Sequence, residues 1–359
     1  MELLYKPDAE EACQRWEAFW QGEMIDRPPV VFGGLRRPDA EDIPGPSQLL
    51  GFDGDFARAF EIVDRRLSGG LFLAETFPCH PPSLGPDQVA GFLGCKIGLN
   101  EASGDTSWVE PCVEDWESAL PLTLDPENRY WKHILEFCAY LRPRARGRFL
   151  LGHLDLHGNL DGLGAMRGYE RLCMDLVDAP ELIDRAVEQI CALFPEIYDA
   201  VYEAAGMAEV GYTTSWGALV APGKTNMLQC DFSAMMSPAM FNRWVMPCLE
   251  VESQVLDHSA YHLDGPEALC HVPSLLSLPR VHVMQWVIGA GLQESRPITT
   301  WIELYQQFQA AGKACQIPGS IEELKVVHKQ LKPNLVQYIT WVNNVAEAED
   351  FLKWLQENS

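Results

Sequence analysis

The chain predicts an α/β protein built as a (β/α)8 TIM barrel, and three observations point there. Short apolar runs of strand length recur eight times between segments of helical periodicity. Several of those runs are apolar on both faces, as strands of a buried parallel sheet must be. The length of 359 residues, 47% hydrophobic and 22% charged, holds one such barrel with an N-terminal helical lead-in and an insertion. A single domain over residues 1–359 is the expectation.

Taken in order, residues 1–27 read as a lead-in helix with Trp16 and Trp20 on one face. The candidate strands are PVVF (29–32), LFLAET (71–76), RFLLGH (148–153), VGYTTS (210–215), SAYHL (259–263), VHVMQW (281–286), KACQI (313–317) and LVQYIT (335–340). Between them, Ser237 and Pro238 supply an N-cap and a proline at the first helical position. Ser320 to Glu323 form a capping box that turns Ile321, Leu324, Val327 and Leu331 inward. The last helix carries Val345, Ala348, Leu352 and Leu355 on one stripe. The stretch 79–147, rich in Pro, Gly and acidic residues, fits a long insertion over one face.

Composition excludes several partners. A net charge of −24 repels nucleic acid and anionic lipid headgroups. No apolar run approaches the roughly 20 residues that span a bilayer. Eleven cysteines, no CxxC pair and no secretory signal point to free thiols in a cytoplasmic protein. Glycine-rich nucleotide motifs, a GxSxG elbow and a HExxH helix are all absent from the sequence.

Four constellations offer chemistry. In SAYHLDGPEAL, His262 and Asp264 stand two apart at the end of a candidate strand, so imidazole and carboxylate share a face beside Tyr261. Such a pair can ligate zinc, shuttle a proton or orient a polar substrate. In GHLDLHGNLD, His153, Asp155 and His157 alternate, which suits metal or substrate contact if the chain is extended and a hydrogen-bonded loop if it is not. Cys230 and Asp231 precede the Ser237-capped helix, a soft ligand beside a carboxylate. Glu75 closes the second candidate strand as a general acid or base, or as an anchor for the loop. Trp216 and Trp286 end the fourth and sixth candidate strands as walls for a flat or methylated substrate.

At these residues the chain resembles the uroporphyrinogen decarboxylase superfamily, which includes cobalamin-dependent methyltransferases. The resemblance runs from about residue 70 to the end. It rests on LDGLGAMRGYERLCMDLVDAPELI, LQCDFSAMMSPAMFNRWVMPCLE, YHLDGPEALCHVPSLLSLPRVHVMQWVIGAG and PGSIEEL. It implies a barrel with its site at the C-terminal rim, and dimerisation as an option. The arginine-rich motif with which true decarboxylases grip their substrate is reduced here to Arg36 and Arg37, and their essential aspartate falls nearest Glu75. The methyltransferases' His-x-Cys zinc pair becomes His262 and Asp264, and the later cysteine position falls near Thr340.

The resemblance therefore implies a methyltransferase-like enzyme that moves a methyl group between a small polar or methylated substrate and a corrinoid on a separate protein. Only about 27 residues precede the first candidate strand, which leaves no room there for a fused corrinoid domain. His262, Asp264 and Cys230 are the expected zinc ligands. His262, Asp264, Asp231 and Glu75 are the expected catalytic groups. Substrate contacts fall to His153, Asp155, His157, Trp216, Tyr261 and Trp286. A metal-free and cofactor-free decarboxylase of a carboxylated pyrrole or smaller acid is the alternative. A non-catalytic tetrapyrrole- or corrinoid-binding barrel is the third reading.

Overall fold

A computed structural model describes residues 1–43, 48–100, 106–289 and 296–359. Residues 101–105 of the expected insertion, and Ala290 and Gly291 ending the QWVIGAG run, lie outside the described residues. Twelve strands are present among the described residues: β1 (Val30–Gly33), β2 (Cys79–His80), β3 (Lys96–Asn100), β4 (Thr106–Glu110), β5 (Leu150–Leu151), β6 (Tyr212–Thr214), β7 (Val220–Pro222), β8 (Thr225–Gln229), β9 (His258–Asp264), β10 (Val283–Val287), β11 (Ala314–Pro318) and β12 (Val336–Trp341).

Six of them make one parallel sheet in the order β1-β12-β11-β10-β9-β8. Strands β8 to β12 lie side by side in chain order, and the chain's first strand then pairs with its last. That return curls the sheet into a half-barrel with helices outside it, an α/β arrangement of TIM-barrel type. β2 and β5 form a separate parallel pair. Single bonds link this pair's surroundings to the sheet. Glu75 donates its N–H to Val30 O, and the Asn226 side chain of β8 donates to Leu154 O.

Two expected strands differ. LFLAET makes only isolated bridges, at Ala74 and near Gly70. Its Phe72 and Ala74 carbonyls accept from the buried Lys6 ammonium, and Ala74 takes a left-handed φ of 51°, so no ladder can run through it. VGYTTS becomes β6, one arm of an antiparallel hairpin with β7, and lies outside the sheet. The sheet strand at that point is β8, TNMLQ, which the sequence left unassigned. All five of its residues are buried although three are polar, so neither an apolar run nor an alternation marks it.

The lead-in helix, Ala9–Trp20, covers one end of the sheet. Its Cys13, Trp16 and Phe19 pack in one cluster with Val31, Met227, Ala260, Val283 and Ala314 on the sheet's concave face, and with Leu150 of β5. The capping expectations hold. Ser237 accepts from Met240 N, and Ser320 and Glu323 bond reciprocally. Within 79–147 the two ends belong to the framework, as β2 and as the helix Arg129–Ala145. The β3–β4 hairpin and the short helix Gln88–Phe92 lie between. The free-thiol expectation is corrected at four positions: Cys95 pairs with Cys112 and Cys191 with Cys248, each at a Cα separation of 5.2 Å. Among the described residues no helix is long and apolar enough to cross a membrane.

Candidate functional site

Strand pleating sends alternate side chains of β9 to opposite faces. Tyr261 and Leu263 enter the layer between sheet and helices, and His262 and Asp264 project from the concave face. Register then sets His262 among glutamines. Gln229 and Gln285 stand level with it on the flanking strands, Gln316 is level with Gln285, and Gln337 with Gln316. The sequence reading missed this belt. Its signal was a single glutamine in the third place of MLQC, VMQW, ACQI and LVQY, the last three inside expected strands.

The belt fixes the imidazole. His262 Nδ1 bonds the Gln285 side-chain oxygen, Gln285 Nε2 donates to Gln316 Oε1, and Gln316 Nε2 donates to Gly217 O at 2.8 Å. A proton on Nδ1 satisfies that chain and leaves Nε2 as the basic nitrogen. Metal-binding histidines are held by the same kind of outer bond.

Asp231 follows β8 by two residues and is swung to the same place by a buried acid. Asp161, near the start of the helix Leu160–Arg167, accepts from Asp231 N at 2.9 Å and Phe232 N at 2.8 Å. As a result one ligand atom each from Asp231, His262 and Asp264 lie within 4.8 Å of one another. Burial first, and the charge of Asp161 second, push the Asp231 carboxyl up to about 6. Asp264 Oδ1 is buried and has no hydrogen-bond partner among the described residues. A nitrogen and two carboxylates with an unsatisfied oxygen are donors that suit a divalent cation of zinc type.

Beside this trio lies a cleft of about 240 Å³ whose lining includes Asp155, Trp216 and His80. Asp155 accepts from Gln229 Nε2 at 2.6 Å. His157 sits 3.2 Å from Asp87 and 3.9 Å from Asp155. Burial alone would lower the His157 pKa. The Asp87 bond and the charges of Asp161, Asp155 and Asp87 overcome it and hold the imidazole up to about 10. Trp216 arrives from the hairpin loop between β6 and β7 and meets His262 edge-on, ring centroids 5.1 Å apart. That loop needs glycine beside the tryptophan, because a Cβ at Gly217 would lie 2.5 Å from Met227 Cγ and Sδ.

Five expected site residues are placed elsewhere. Tyr261 and Trp286 point outward into the packed layer, where Trp286 meets Trp301 edge-on at 4.9 Å. Cys230 points the same way. Its thiol is buried and held well above the usual range by that burial, and the ligand group does not include it. His153 stacks on Tyr198 at 3.9 Å with Nε2 bonded to Tyr198 O, and burial pushes its pKa down to about 4. Of the alternating triplet, only Asp155 lines the cleft, with His157 3.9 Å from it. Glu75 is fully buried in a two-pronged bond with Arg27 (2.7 and 3.0 Å) and accepts from Val30 N, so it anchors the start of β1 and has no free oxygen for a substrate. Asp87, Asp161 and Gln285 join the neighbourhood unpredicted.

No family model matches the chain, and no curated protein does. Among solved structures, a methyltransferase from Methanosarcina mazei matches over 96% of this chain and 98% of its own, with a TM-score of 0.59 and 12% sequence identity. The likeness is one of fold. It spans nearly the whole of both chains.

Proposed function

We propose that this protein is a one-domain barrel enzyme of the methyltransferase-like branch of the uroporphyrinogen decarboxylase superfamily. We read β2, β5 and the single bonds around them as closing the sheet into an eight-stranded ring. The enzyme would transfer a methyl group between a small substrate in the cleft and a corrinoid carried by a separate protein. The observation that carries the reading is the convergence of His262, Asp264 and Asp231, distant in sequence, within 4.8 Å at the ends of neighbouring strands.

His262 Nε2 and one oxygen each from Asp231 and Asp264 would hold a divalent cation, with zinc the leading candidate. A bound cation supplies Lewis acidity toward an oxygen or amine head group. The chain's own work is positional. Gln285 keeps the imidazole in one tautomer and one orientation. Asp161 holds the turn that aims Asp231. Trp216 and the cleft walls displace water from the reacting end of the substrate. Replacement of the resembling family's cysteines by Asp264 and Thr340 leaves no thiolate in the trio, which favours oxygen or nitrogen substrates over thiols. The described cleft lining contains no lysine or arginine, which weighs against a polycarboxylate substrate and so against the decarboxylase.

The test is to mix the protein with a methylated corrinoid and candidate acceptors, and to follow corrinoid absorbance. Methyl loss that needs the protein and disappears in His262→Ala supports the reading. An unchanged spectrum with every acceptor overturns it.

A further inference from the structure

The cleft beside the trio holds two polar groups that the described protein does not satisfy. His80 Nε2 is buried without a partner on a side chain only 8% exposed, and Trp216 Nε1 is buried without a partner as well. Both residues line the cleft. A buried donor or acceptor left without a bond is costly, so such groups mark where a ligand's polar atom belongs. The indole nitrogen can only donate, so the atom facing it must accept.

The remaining walls define the rest of the occupant. Pro81, Ile134 and Phe137 supply apolar surface to the same cleft. A cavity of about 150 Å³ takes benzene, so one of about 240 Å³ admits a ring with one substituent. Charge narrows the choice further. Asp155 shares the lining, and Asp87, Asp161, Asp231 and Asp264 stand nearby against the charged imidazole of His157, so an anion is repelled. A cation would leave the indole N–H still unbonded. His80 is neutral at physiological pH, because burial, and then the charge of Arg66, push it down to about 4. Its ring nitrogen can therefore serve an uncharged head group as donor or acceptor.

We propose that this cleft binds an uncharged, ring-sized molecule through an ether or hydroxyl oxygen that accepts from the Trp216 indole N–H beside His80. The proposal rests on the reading of cleft and trio as one site, because Trp216 touches both. Its test is independent of methyl transfer. Calorimetric titration of the zinc-free protein with anisole, toluene, benzoate and benzylammonium ranks the chemistry. Anisole is expected to bind tightest, with toluene weaker by about tenfold for the missing oxygen. In Trp216→Phe the anisole advantage over toluene disappears.

Equal binding of anisole and toluene, or tightest binding of either charged probe, overturns the proposal. So does a Trp216→Phe variant that keeps the full anisole advantage. Should that variant fail to fold, the anisole-to-toluene ratio of the unaltered protein decides alone. Zinc titration of the same sample reads the trio separately. Selective anisole binding without zinc uptake keeps this proposal and sinks the metal assignment, and zinc uptake without probe binding does the reverse.

Discussion

Replacing Gln285 by Leu separates the trio's geometry from its ligand inventory. Gln285 is buried on β10, touches none of the proposed ligand atoms except through His262 Nδ1, and passes its own N–H on to Gln316. Leucine fills a similar volume but offers neither acceptor nor donor. Two buried polar atoms then lose a partner, His262 Nδ1 and Gln316 Oε1, at about 1–3 kcal/mol each. The gain from burying an apolar side chain, about 2 kcal/mol, offsets part of this. The net loss of stability is therefore about 0–4 kcal/mol, with a midpoint of about 2 kcal/mol that lowers Tm by several degrees. Zinc affinity falls further than stability implies, because an unheld imidazole can rotate or change tautomer. Loss of such an outer bond costs about 10–100-fold in affinity, or about 1.4–2.7 kcal/mol. Chelator-competition titration reads the affinity, and a thermal melt of the metal-free variant reads the fold. A folded Gln285→Leu protein that binds zinc as tightly as the unaltered one refutes the claim that the glutamine belt orients His262.

Two further outcomes follow from the buried ion pairs. His157 has its folded pKa raised to about 10, so its stabilising charge is complete below the ordinary imidazole pKa and is lost as pH rises through about 10. Melts across the alkaline range should show stability falling in that window, and His157→Gln should remove the fall; an unchanged slope contradicts the pairing with Asp87 and Asp155. Glu75→Ala strands the buried Arg27 and should cost about 3–5 kcal/mol, while zinc affinity of the folded fraction stays as it was. A stable Glu75→Ala protein with altered zinc binding would restore Glu75 to the site.

The legible part of the site was the part governed by strand period. His262 and Asp264 could be placed together because two residues make one strand repeat, and Asp231 because an acid preceded a capped helix. Period alone could not place His153. Its neighbours Asp155 and His157 follow the chain out of β5 into a turn, and His153 faces the helix that carries Tyr198. Glu75 ended an apolar run that looked like a strand, but Lys6 from the lead-in donates to the Phe72 and Ala74 carbonyls just before it and Arg27 takes its carboxylate. These partners are 68 and 48 residues away, beyond any local pattern. β8 was invisible for a related reason, since Thr225, Asn226 and Gln229 are polar and yet satisfied inside, Asn226 by Leu154 O and Gln229 by Asp155. Trp216 was foreseen as a pocket wall but on the end of a sheet strand, whereas a hairpin loop delivers it.

Crystals grown with zinc and measured at the zinc absorption edge test the central claim most directly. One anomalous peak is expected about 2.0–2.2 Å from His262 Nε2 and from an oxygen of both Asp231 and Asp264. A peak at Cys230 or another buried thiol, or no peak near His262, contradicts it.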